Sequence, residues 1–256
     1  LPSHAYRIRS YLSYWLDAVD AHSLHSPFLY DLYTRVIIPA QKNAFPAFEH
    51  LRERLLSDQR TIKIKDYGAG GKTEGIIRDI ARTSLAPLKK ALLYNSLISY
   101  FNCQQILELG TSFGITTLYL AQPANTKVVT MEGSPETAEI ASLTFEFAEA
   151  RNIRLIQGNI DDKLDAVIAE FRRIDFVLLD ANHRYEPALR YFKKILPKLH
   201  PGSVVVMDDI HYSVEMGKAW DEIRKHELVH TSVDLYQCGI LFFDPSLNKQ
   251  HVILQY

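Results

Sequence analysis

Two sets of residues in this chain have the types and spacing needed for chemistry. The first is Glu108, Gly110, Thr111, Ser112 and Gly114, followed by Glu132, which lies 22 residues past Gly110. A glycine directly after a strand allows a tight turn and lets backbone approach a ligand, and a second glycine opens the following helix. An acid about twenty residues further on can accept hydrogen bonds from both hydroxyls of a ribose. Gly158, Asn159 and Asp161 come next in order and would border an adenine. A dinucleotide site wants Gly-x-Gly-x-x-Gly so that the pyrophosphate can approach the helix N-terminus closely, whereas here the middle glycine position is Ser112 and the spacing differs. Glu108 would repel a pyrophosphate and suits a cationic amino-acid end, so the expected ligand is S-adenosylmethionine. The second set is Asp180, His183, Asp208, Asp209 and His211.

Elements of a particular kind must position these groups. From Gln105 onward, strand-like and helix-like patterns alternate, with strands expected at Gln105–Leu109, Lys127–Glu132, Ile153–Gln157, Ile174–Asp180 and Ser203–Asp208. Runs such as VVTM, FVLL and VVVM are apolar throughout, as parallel strands covered on both faces must be. His230–Tyr236 and Gly239–Phe243 read as a terminal antiparallel hairpin. The expected fold is therefore α/β, a Rossmann-like, doubly wound, mostly parallel sheet of seven strands, over residues 103–256. In such a sheet the ligand sits beyond the carboxyl ends of the strands, which is where both sets fall.

Residues 1–102 form a helical extension by pattern. Ile8, Tyr11, Leu12, Trp15, Leu16 and Val19 recur at helical spacing, and Ser26-Pro27 reads as an N-cap with proline at the first helical position. Further helices are expected around Leu51–Leu56, Ile76–Ile80 and Leu92–Phe101. The aromatic residues Tyr11, Tyr14, Trp15, Phe28, Tyr30 and Tyr33 could face a flat acceptor, but helix–helix or dimer packing is the more ordinary use. His22 and His25 fall in a turn, where capping is the ordinary role. Gly68-Ala69-Gly70-Gly71-Lys72-Thr73 imitates a phosphate loop, yet the first glycine of that motif would fall on Asp66. The 66–73 stretch is therefore read as a loop.

From about 103 to 244 the chain resembles the class I methyltransferases, and within them the catechol and caffeoyl-CoA type O-methyltransferases and bacterial relatives of that group. ILELGTSFGITTLYLA is similar to their first motif, VVTMEGSPE to the second, IDFVLLDANHRY to the strand-four motif and LHPGSVVVMDDIHY to the strand-five motif. The resemblance implies S-adenosylmethionine as cofactor and a small hydroxylated molecule as acceptor. It also implies magnesium, or another divalent cation, held by Asp180, Asp208 and Asp209. Three converging carboxylates repel one another, and a hard cation would relieve that. Asp209 could instead cap the following helix. The family's general base, a lysine three residues past the first metal carboxylate, is replaced here by His183, with Asp180 beside it as the second catalytic residue. A histidine there can serve as base, ligand or hydrogen-bonder. His211 is a second candidate.

Composition narrows the alternatives. The 256 residues are 47% hydrophobic, enough for a substantial core without disulfides. Lys plus Arg number 29 against 30 Asp plus Glu, which weighs against nucleic acid but leaves room for a local basic surface on which a tRNA base hydroxyl could be methylated. A non-catalytic cofactor-binding module is a third reading, against which the clustered acids speak. The start LPSHAYRIRSY lacks the apolar core of a secretory signal, and no run is long enough to span a bilayer. Only Cys103 and Cys238 are present, without metal-site spacing. A cytoplasmic setting with no membrane partner is expected, and a homodimer is compatible with the aromatic extension.

Overall fold

The computed structural model describes residues 4–41, 44–65 and 73–256, so most of the 66–73 loop singled out above lies outside the described residues. Two compact units emerge, Leu1–Pro39 with Ile168–Tyr256, and Ala40–Val167. The first unit is thus discontinuous in sequence and the second continuous.

The first unit begins with helix α1 (His4–Asp17) and α2 (Pro27–Leu32). Ser26 caps α2 by accepting a hydrogen bond from the Leu29 N–H, with Pro27 at the first position, as its sequence implies. A π-helical turn, Tyr33–Ile37, continues α2 and stops before Pro39.

The continuous unit follows with α3 (Pro46–Ser57), a short antiparallel pair β1 (Thr61–Lys63) and β2 (Glu74–Ile76), then α4 (Ile77–Ser84) and α5 (Leu88–Tyr100). The pair β1–β2 was not expected, and Ile76 ends its second strand instead of opening a helix. Three parallel strands come next, β3 (Gln105–Leu109), β4 (Lys127–Glu132) and β5 (Ile153–Gln157), with β4 in the middle. Between them run α6 (Ile115–Ala121) and α7 (Pro135–Phe147), and α8 (Ile160–Glu170) follows β5. Leu92, Phe113, Ile115 and Tyr119 anchor the core of this unit, and Leu118, Ala141 and Phe145 form a second cluster. Their burial removes apolar surface from water and fixes where α6 begins.

The chain then returns to the first unit with β6 (Phe176–Leu179), α9 (Tyr185–Ile195), β7 (Val204–Asp208), α10 (Val214–Ile223), β8 (Thr231–Asp234), β9 (Cys238–Phe242) and β10 (Gln250–Ile253). Strands β6 and β7 are parallel, whereas β9 is antiparallel to both β7 and β8. The expected terminal hairpin is therefore present. Beyond it β10 pairs in parallel with β8, a further strand that the hairpin pattern did not announce. Every residue of β6 and β7 is buried, which explains their unbroken apolar runs. The expected parallel α/β plan thus holds throughout β3–β5 and at β6–β7 and gives way to antiparallel pairing around β9, and among the described residues no helix is long and apolar enough to cross a membrane.

Candidate active site

In the continuous unit the loops after β3, β4 and β5 carry the first set of residues. Gly110 takes φ 104°, Ser112 φ 50° and Gly114 φ 84°, so the turn from β3 into α6 winds through left-handed conformations. The N–H groups of Gly110 and Thr111 both donate to Met131 O, at 3.1 and 3.2 Å, which ties this turn to β4. Gly114 is required for a second reason: a Cβ there would stand 2.5 Å from the Phe145 ring.

Glu132 ends β4 half-buried, with its carboxylate stretched between two backbone donors. Ser112 N–H donates to Oε2 and Ser134 N–H to Oε1, each at 2.9 Å. Burial raises its pKa, while the backbone donors at Ser134, Ser112 and Gly133 oppose that rise. Gly158 follows β5 at φ 139° and donates to Glu132 O at 2.8 Å, so the third loop is fastened to the second. Asn159 accepts from the Asp161 N–H at 3.1 Å and so helps to start α8, whose first turn holds Asp161.

Glu108 sits deeper than its place in the motif suggests, with no exposed surface. Thr117 and Thr130 hydroxyls donate to its Oε2 at 2.5 and 2.6 Å, while Oε1 is buried without a hydrogen-bond partner. Thr111 and Thr130 hydroxyls meet at 2.6 Å and extend this cluster. Desolvation pushes the Glu108 carboxyl up to about 7, despite the two threonines and with a smaller contribution from the charge of Glu132. Thr117 and Thr130 were not anticipated. Strand pairing supplies the missing signal, because Thr130 lies directly across from Glu108 in the β3–β4 register.

The second set of residues belongs to the other unit. His183 Nε2 stands 3.6 Å from Asp180 Oδ1, after a left-handed turn at Asn182 (φ 55°), and its ring lies 6.0 Å from that of Tyr212. Asp208 ends β7 only 1% exposed, and its Oδ1 accepts from the Asp209 N–H at 3.0 Å. The same N–H reaches Gln237 O at 2.7 Å, holding Asp209 at φ 53°. Asp209 does not cap the following helix; Ser213 does, accepting from Met216 N–H. Asp180, Asp208 and Asp209 are not gathered around a common point. Among the described residues, no group of three His, Cys, Asp or Glu is placed to hold a metal ion. The donor set therefore does not fit the divalent cation that the motifs imply.

His211 is engaged at both ring nitrogens, by Asp234 Oδ2 at 2.7 Å and Ser10 Oγ at 2.9 Å, and Tyr236 stacks on its ring at 5.3 Å. Sequence reasoning did not foresee this chain of partners, which attaches α1 to the loops after β7 and β8. At the other histidine pair, Asp20 does the capping by accepting from the His22 N–H. A groove of about 470 Å3 lies elsewhere, between α3 and α7, lined by Leu51, Arg54, Leu55, Ile140, Leu143 and Phe147 among others. None of the strand-end residues contributes to it.

A family model described as a methyltransferase domain matches residues 107–210. Catechol O-methyltransferase B of Danio rerio is 27% identical over 128 residues, 48% of this chain and 48% of that protein. Catechol O-methyltransferase of Mycobacterium tuberculosis is 28% identical over 117 residues, 44% of this chain and 51% of that one. The chain thus spans about half the length of these curated relatives. Among solved structures, an O-methyltransferase from Bacillus cereus in complex with SAH superposes with a TM-score of 0.61 at 17% identity, covering 81% of this chain and 94% of that one. An SAH-bound methyltransferase from Podospora anserina gives 0.61 at 16%, covering 86% and 99%. At such identities these two speak for the fold. Matched sequence, strand-end loops and fold together identify residues 107–210 as a class I S-adenosylmethionine-dependent methyltransferase domain.

Proposed function

We propose that the chain transfers a methyl group from S-adenosylmethionine to a hydroxyl oxygen of a small acceptor. The observation that carries this reading is Glu132, a strand-end carboxylate held between the Ser112 and Ser134 N–H groups beside the left-handed Gly110–Gly114 turn. In this reading 103–256 is the cofactor-binding domain and 1–102 its extension. Glu132 accepts from the ribose hydroxyls; Gly110, Thr111, Ser112 and Gly114 offer close backbone; and Gly158, Asn159 and Asp161 border the base. Glu108 lies wholly inside the core two residues before Gly110, and with Thr117 and Thr130 on its carboxyl it supports the cofactor only through the β3–β4 register from which the glycine turn springs. When bound, the cofactor supplies an electrophilic methyl group on a sulfonium sulfur.

The remaining work falls to residues of the chain. Asp180 orients the His183 imidazole, leaving its other ring nitrogen to take the proton of the acceptor hydroxyl as the oxygen becomes nucleophilic. The Tyr212 ring beside His183 provides a flat wall suited to an aromatic acceptor. No step is assigned to a divalent cation, because Asp180, Asp208 and Asp209 are not gathered to share one.

Transfer from labelled S-adenosylmethionine to a panel of catechols, other small hydroxylated molecules and bulk tRNA tests the reading. Methylation of a small hydroxylated acceptor is expected, with kcat falling about 100-fold in His183→Ala while cofactor affinity holds. Turnover is expected to survive a chelator; its loss would return Asp180, Asp208 and Asp209 to the role of metal ligands. Labelling of tRNA alone, or cofactor binding without turnover on any acceptor, would refute the proposal.

A further inference from the structure

Helix α1 is attached to its unit by its hydroxyl-bearing side. The Tyr6 hydroxyl lies 2.5 Å from where a side chain on Gly217 would begin, Ser10 bonds to His211, and the Tyr14 hydroxyl donates to Leu254 O at 2.6 Å. Tyr236 adds a bond from its own hydroxyl to Arg7 O. These contacts use positions 6, 10 and 14, one face of the helix. The opposite face carries Ile8, Leu12, Trp15 and Leu16, which are 63%, 52%, 63% and 73% exposed, and Tyr11, 50% exposed, borders it with its ring set edgewise on Tyr236. The usual arrangement of an amphipathic helix is inverted, with its greasiest stripe turned to the outside.

We infer that this stripe is the interface with a second copy of the same chain, α1 packing antiparallel on α1 about a two-fold axis through Leu12. With Tyr11 at its edge the stripe presents roughly 600 Å2, at the top of the range for the largest apolar patch on a monomer and below the ~800 Å2 that each partner gives a standard interface. The stripe is also self-complementary. Ile8 and Leu16 stand four residues to either side of Leu12, so an antiparallel pairing sets Leu12 on Leu12 and each Ile8 beside the other chain's Leu16. Charge agrees with that direction: exposed Arg7 and Arg9 lie towards one end of α1 and exposed Asp17 closes the other. Antiparallel helices bring the basic end of each to the acidic end of its mate, and their dipoles oppose as well.

Sedimentation velocity on the full chain reads the assembly directly. The wild type is expected to sediment as a dimer, and Leu12→Glu as a monomer with an unchanged circular dichroism spectrum, because the side chain points away from its own unit. Leu12→Cys tests the register, since a residue on a two-fold axis is the one that bonds to itself. Mild oxidation should yield a disulfide-linked dimer of this variant and none of the wild type, whose Cys103 and Cys238 are buried. A monomeric wild type, a dimer indifferent to Leu12→Glu, or a Leu12→Cys chain that stays uncoupled would overturn the inference. So would a monomer that co-sediments with anionic phospholipid vesicles, which would make the stripe a lipid-binding surface.

Discussion

Replacing Glu108 by glutamine should remove a pH dependence from the stability of the protein. The carboxyl is fully buried and burial lifts it from 4.5 to about 7, so the folded chain holds this proton more tightly than the unfolded chain does. Its contribution is fully present below about pH 4.5 and is lost as pH rises through about 7. The separation corresponds to roughly 3 kcal/mol between the two limits. Glutamine cannot titrate, and its oxygen can still accept from the Thr117 and Thr130 hydroxyls. Its amide group would occupy the place of Oε1, where no partner waits, at a pH-independent cost of about 1–3 kcal/mol. Urea unfolding of both proteins at intervals from pH 5 to pH 8 supplies the comparison. The wild type should lose stability across that range, most of the loss being absent from Glu108→Gln. Glu132→Gln serves as the control, because burial raises that carboxyl too. An identical slope in wild type and Glu108→Gln would refute the assignment of the titration to Glu108.

Three further outcomes follow from the geometry. Gly114→Ala should destabilise the fold by about 2 kcal/mol or more, from a positive φ of 84° and a Cβ pressed on Phe145; adding Phe145→Leu should recover only the packing part, as denaturant midpoints would show. Glu132→Ala should weaken S-adenosylhomocysteine binding at least about 30-fold by calorimetry, the loss of charge-assisted hydrogen bonds to a ribose, and unchanged affinity would remove Glu132 from the site. Tyr14→Phe forfeits the buried bond to Leu254 O and should cost about 1 kcal/mol of unfolding free energy, while a neutral result would mean that water replaces the bond without loss.

The strands of the α/β plan were legible because parallel strands with both faces covered must be apolar without interruption, and FVLL and VVVM cannot be anything that alternates. The loops at their ends were legible because glycines and acids recur there at fixed offsets. What stayed hidden depends on partners distant in sequence. QHVI becomes β10 only because Thr231–Asp234 offers it an edge, and nothing in its own pattern announces that. The three-residue strands β1 and β2 are too short to show a period. Acids at strand ends can be counted from the sequence, but side-chain direction cannot. Asp208 belongs to a strand buried throughout, and that its Oδ1 accepts from the Asp209 N–H could not be read from the motif. Glu108 likewise has the right motif position and faces the core.

The two tyrosine contacts to the C-terminal strand region impose a timetable on the growing chain. Tyr14 and Tyr33 find their acceptors at Leu254 O and Gln255 O, across separations of 240 and 222 residues. At typical synthesis rates of 5–20 residues per second, α1 and α2 wait roughly 10–50 s for those carbonyls to emerge. Ala40–Val167, being continuous, has its whole sequence available before then and can fold in the interval. Throughout it, the greasy side of α1 is exposed on a helix not yet fastened down, a state in which a chaperone would have something to hold.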